Sequence, residues 1–164
     1  MIATLKKAAW LAWCGLVVAG FVHFRGHRPP AAPPERAAFE ERHRVCYDIF
    51  ATGDISHAYD LLAMTFDGAE LDRQFCVYAR ALEQMRKAGA DVTVWDLSYQ
   101  DFRVLETTDE RCTVYSRWNV VYVLGHSRHS HVRSNVYEVV FELRLGADGW
   151  KIIDSRIRSE TPLT

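Results

Sequence analysis

The pattern of apolar and polar positions divides the chain into three stretches of different period. Residues 8–24 include no charged side chain, and Lys6, Lys7, Arg25 and Arg28 flank the run. From Glu35 to Gly89 apolar side chains return every three or four residues, the period of a helix that buries one face. After Gly89 the period falls to two, that of extended chain whose alternate side chains lie on opposite faces.

The helical stretch predicts three helices. The first covers residues 35–52, where Phe39, Arg42, Val45, Cys46, Ile49 and Phe50 form a stripe and Gly53 suits the left-handed turn that ends a helix. A second, from Ser56, carries Ala58, Leu61, Leu62 and Met64 and gives way at Asp67-Gly68. In the third, Asp67 and Glu70 have the spacing of a capping box, and Leu71, Phe75, Tyr78, Leu82 and Met85 recur up to Gly89. Strands are predicted near residues 97–106, 111–124, 129–145 and 150–158, with hairpin chemistry at 107–110 and 146–149. Helices followed by an antiparallel meander define an α+β fold: three helices packed on a curved four-stranded sheet, open at one end, where such folds keep ligands.

One row of side chains stands out. On the third predicted strand His129, His131, Arg133, Asn135 and Tyr137 recur at every second position, and the same row continues as Val139, Phe141, Leu143 and Leu145. The polar row and the core row share a face, so the polar end is expected to line a pocket mouth. His126, just across the presumed turn, and Trp118, within the preceding strand, join it. The candidate ligand pocket is therefore His126, His129, His131, Arg133, Asn135, Tyr137 and Trp118. His126, His129 and His131 could hold a divalent metal with one position open, although Arg133 next in the row repels a cation unless Asp101 or Glu106 intervenes. Arg133, Asn135 and the imidazoles could instead grip a carboxylate or phosphate. A His base with Tyr137 as acid would serve catalysis, but no nucleophile elbow, phosphate loop or paired carboxylates accompany it. The fourth reading is a satisfied polar network that needs no ligand. Elsewhere Trp95 and Trp150 read as core or pocket wall, and His43 and His57 as surface or capping residues.

The charge-free run reads as an N-terminal transmembrane helix. Residues 1–28 then form a membrane anchor, 29–34 a Pro-rich linker, 35–160 an extracytoplasmic domain and 161–164 a tail. Ala8, Ala12, Gly15 and Ala19 make a small-residue stripe on which an integral membrane partner could pack. The expected location is a bacterial inner membrane, single-pass, with the bulk of the chain periplasmic. Twenty Lys and Arg against 21 Asp and Glu leave a net charge of −1, which offers nucleic acid no footprint. Of four cysteines Cys14 lies in the apolar run, so Cys46, Cys76 and Cys112 read as buried thiols, with a Cys46–Cys76 bridge open.

The element order, the turn Asp148-Gly-Trp-Lys-Ile152 into the last strand and the long third strand resemble the cone-shaped domain of the nuclear transport factor 2-like (SnoaL-like) superfamily over residues 35–160. The spacing His126-x-x-His129-x-His131-x-Arg133-x-Asn135-x-Tyr137 after Trp118 is similar to a group of bacterial membrane-associated domains of that fold without an assigned activity. The superfamily holds isomerases, dehydratases, cyclases and non-enzymes, and includes the inner-membrane scaffold of type IV secretion. The resemblance implies an accessory or assembly subunit of a membrane complex, with a homo-oligomer through the sheet as a further expectation. The competing expectation is a membrane-tethered metal- or ligand-binding domain with lyase, isomerase or hydrolase chemistry.

Overall fold

The computed structural model describes residues 31–126 and 129–163. Three helices, α1 (Arg36–Thr52), α2 (Ile55–Ala63) and α3 (Gly68–Ala88), precede four strands, β1 (Ala90–Thr107), β2 (Arg111–His126), β3 (His129–Gly146) and β4 (Gly149–Leu163). The sheet is an antiparallel meander in the order β1-β2-β3-β4. Bulges interrupt β1 against β2 near Trp95, Gln100 and Leu105, and β4 against β3 near Ile153 and Arg158; each bends its strand.

The helix ends follow from local chemistry. Gly53 and Gly89 take the left-handed conformation, φ 62° and 59°, and each returns its amide to the last turn. Asp54 caps α2 through the Ser56 amide, and Asp67 caps α3 through the Gly68 amide. The capping box expected at Glu70 does not form. Glu70 is buried and accepts from Gln74, Ser155 and Arg73, so its carboxylate ties α3 to β4 instead. Between α2 and α3, Ile152 donates to the Thr65 carbonyl and Asp67 to that of Ile152, which fixes the helical layer on the sheet.

The core lies between that layer and one end of the sheet. Phe39, Cys46 and Ile49 of α1, Leu62 of α2, and Leu71 and Leu82 of α3 meet Cys112, Val114, Trp118 and Val120 of β2 and Val139, Phe141 and Leu143 of β3. At the other end the strands run on alone. No residue in 90–96 of β1, 121–126 of β2 or 129–135 of β3 is buried.

One part of the expected fold class is corrected. The helices and the antiparallel sheet are present, but among the described residues no helix is long and apolar enough to cross a membrane. Each described helix is apolar on one face only, as a helix laid on a sheet must be. The run expected as an anchor, with Ala8, Ala12, Gly15 and Ala19, lies outside the described residues. Residues 161–163, expected as tail, extend β4 and pair with β3 up to Leu163 opposite Ser134. Cys46 and Cys112 are buried, but Cys76 is exposed on α3, and all three are free thiols.

Candidate functional site

A cavity of about 290 Å³ opens between α1, α3 and the inner face of β2, β3 and β4. His43 and Tyr47 come from α1, Tyr78 from α3, Trp118 from β2, Tyr137 from β3 and Ile157 from β4. Helical spacing explains the α1 contribution, because Phe39, His43 and Cys46 fall on one buried stripe. Strand register explains the rest: Trp118 and Tyr137 are direct cross-strand partners, and Glu160 pairs with Tyr137 from the far side.

The indole of Trp118 organises the wall. It stacks on Tyr137 at 5.5 Å and on Phe141 at 6.0 Å, meets His43 edge-on at 4.7 Å, and donates through Nε1 to Tyr47 Oη at 2.7 Å. Such contacts combine area burial with quadrupole geometry and a paired polar tip. His43 sits inside the cluster with Nδ1 2.8 Å from Tyr99 Oη. Burial pushes its pKa down from 6.5 to about 4, since the enclosing rings cannot solvate an imidazolium. It is therefore neutral near pH 7.

At the rim Tyr137 Oη donates to Glu160 Oε1 at 2.9 Å, while Asn135 Nδ2 donates to the same oxygen at 2.9 Å and to Tyr137 Oη at 3.1 Å. Burial, the largest cause, pushes the Tyr137 hydroxyl up to about 12. Tyr47, Tyr78 and Tyr99 are raised for the same reason. The cavity thus presents protonated phenols, a neutral imidazole and, at its rim, the Glu160 carboxyl. Among the described residues every buried side-chain nitrogen and oxygen has a partner. The wall can hold an apolar or aromatic group, and it lacks a charged nucleophile.

The seven residues singled out by sequence separate into two places. Trp118 and Tyr137 line the cavity, and Asn135 braces its rim. His126, His129, His131 and Arg133 lie past the helical layer at the free end of the β2–β3 hairpin, with the last three exposed. His126 pairs with His129, Leu124 with His131 and Tyr122 with Arg133, so the row keeps the inner face as its period requires. The ring centres of His126 and His131 are 5.2 Å apart, and those of His126 and His129 6.4 Å.

Sequence reasoning missed His43, Tyr47 and Glu160. His43, read as a surface or capping residue, is buried; its phase with Phe39 and Cys46 was the available signal. His57 does pair with the cap residue, through Nδ1 and the Asp54 carboxylate at 3.0 Å. Trp95, read as core or pocket wall, is 66 % exposed because it sits at a bulge beyond the helices. Asp101 pairs with Arg103, away from the histidines.

No known protein family's sequence pattern matches the chain, and no curated protein matches it in sequence. In structure it is similar to the intermembrane space region of the chloroplast protein ARC6, with TM-score 0.51 and 17% identity over 77% of this chain and 98% of that one. It is also similar to an IcmL-like type IV secretion system protein from Legionella pneumophila, with TM-score 0.41 and 12% identity over 81% of this chain and 96% of that one. At these identities the first likeness speaks to the fold alone, and the second is too loose to carry an argument.

Proposed function

We propose that this domain is a non-catalytic protein-interaction subunit of a membrane-associated assembly, working outside the cytoplasm. The observation that carries the reading is the bare end of the sheet. Three neighbouring strands run past the helical layer without burying a residue there, and they expose Trp95 and Val132, 66 % and 58 % accessible, although other exposed apolar side chains such as Ile157 and Val77 stand elsewhere on the surface. A stretch of sheet that no helix covers, with a tryptophan standing in water beside it, is the kind of surface that interaction sites use. The cavity wall is built of phenols, an imidazole and aromatic and aliphatic side chains, which favours binding over turnover. The ARC6 region similar in fold is an intermembrane space region, and a comparable setting outside the cytoplasm is part of the proposal for this domain.

Photo-crosslinking in cells tests this. A crosslinking residue at Val132 is expected to give a discrete protein adduct in the membrane fraction, and one at Val77, exposed on α3, is not. Trp95→Asp should abolish the adduct formed from position 132, and Trp95→Asp with Val132→Asp should abolish co-purification, both without lowering the unfolding midpoint. Retention of the partner by that double variant would sink the reading. An adduct to a second copy of the chain would replace the heteromeric assembly by a homo-oligomer.

A further inference from the structure

The three histidines at the hairpin end have a geometry that the interaction reading does not use. His126 and His129 are cross-strand partners at the ends of β2 and β3, and His131 follows two residues along on the same face. Cross-strand partners hold their β-carbons about 5 Å apart, and residues two apart on a strand are roughly 7 Å apart, so three imidazoles share a small patch. Zinc lies about 2 Å from a ligating imidazole nitrogen and hence roughly 3 Å from the ring centre, so two ligands at a tetrahedral angle have ring centres roughly 5 Å apart. The His126 and His131 centres stand at 5.2 Å. Those of His126 and His129, at 6.4 Å, need to close by about an ångström, which rotation of an exposed side chain supplies.

We propose that His126, His129 and His131 form a binding site for one divalent transition-metal ion of the zinc or copper class, with a fourth position left to water. Ligand type selects that class, because neutral imidazoles suit zinc, copper and nickel, whereas calcium and magnesium demand carboxyl and carbonyl oxygen. Among the described residues no trio of His, Cys, Asp or Glu already converges on a point, so binding an ion requires these side chains to turn toward it. Arg133, next along the row, is exposed; its long side chain can turn into water, which screens its repulsion. This inference stands apart from the interaction reading, since the site is complete within one chain.

The test uses the full-length chain purified without a polyhistidine tag. Zinc chloride is titrated calorimetrically, and copper(II) is followed by its paramagnetic resonance, where nitrogen hyperfine structure counts imidazole ligands. One ion per chain is expected, with micromolar affinity or better and at least two nitrogen ligands. His126→Ala, His129→Ala and His131→Ala should each weaken binding at least about tenfold, a loss typical even for second-shell support of a metal site. Circular dichroism checks that each variant is folded, and His131→Ala, at an exposed position, keeps the test open if another variant misfolds. His57→Ala, on the far exposed cap of α2, should bind like the wild type. The proposal is overturned by absence of binding, by binding in the three variants as tight as in the wild type, or by loss on His57→Ala.

Discussion

The two ends of one sheet differ more than the strands within it. At the end that carries the helices, β2 buries every second residue from Cys112 to Val120 and β3 does so from Val139 to Leu143. At the other end the same strands keep their pairing to His126 and His129 and bury nothing. Backbone hydrogen bonds are thus maintained where side-chain burial has stopped. A ladder does not need a core on each of its rungs, but stability concentrates where the core is, because burial is the dominant favourable term. The bare end is therefore free to carry side chains chosen for contact, while the covered end holds the fold.

Removing Trp118 should break the covered end most severely. It is 4 % exposed, stacks on Tyr137 and Phe141, and pairs with the Tyr47 hydroxyl. Trp118→Ala leaves a cavity and orphans the phenol, so a loss of about 3–5 kcal/mol is expected in denaturant unfolding. A loss under about 1 kcal/mol would mean that the aromatic cluster is not the keystone of the core.

Acid should act on the same end. Folding holds the His43 pKa at about 4 against 6.5 unfolded. Between those values the unfolded chain binds a proton that the folded chain refuses, so stability falls as pH falls from 6.5 towards 4 and is flat above 6.5 as far as this group is concerned. The shift corresponds to about 3 kcal/mol across that window. Unfolding measured at neutral pH and near the lower bound, for the wild type and His43→Gln, isolates the term: the variant should lose the slope. An unchanged slope in His43→Gln would show that carboxylate groups dominate the acid response.

How much of this division was legible in the sequence depends on the kind of information each feature carries. Gly53, Gly89 and Asp67 mark helix ends because the chemistry of a cap is local, and the spacing of Leu71 and Leu82 identifies the buried face of α3. Period two placed His131 and Phe141 on one face of β3, and the register agrees. What a period cannot state is how far the helical layer reaches along that face. That boundary is a tertiary fact, set where α1 and α3 cross the sheet. The row was therefore read as one pocket mouth, although only Trp118, Asn135 and Tyr137 belong to the cavity and its rim. Polar identity misled in the opposite sense at His43 and Glu70, both buried because partners from distant elements satisfy them.

The comparison can be sharpened with one substitution made twice. Leu143 and Leu124 both lie on the inner face, as the register shows: Leu143 opposite Cys112 at the covered end, Leu124 opposite His131 at the bare one. Leu143 is 2 % exposed, whereas Leu124 is only half-buried. Leu143→Ala removes side-chain volume the core cannot refill and should cost about 2–5 kcal/mol. Leu124→Ala opens no closed cavity, since solvent already reaches it, and should cost about 1 kcal/mol or less, mostly through lost strand propensity and cross-strand contact. Unfolding midpoints read both directly. Equal losses would mean that something covers the bare end in solution, and dilution would then tell a second copy of the chain, which dissociates, from a cover within the chain, which does not.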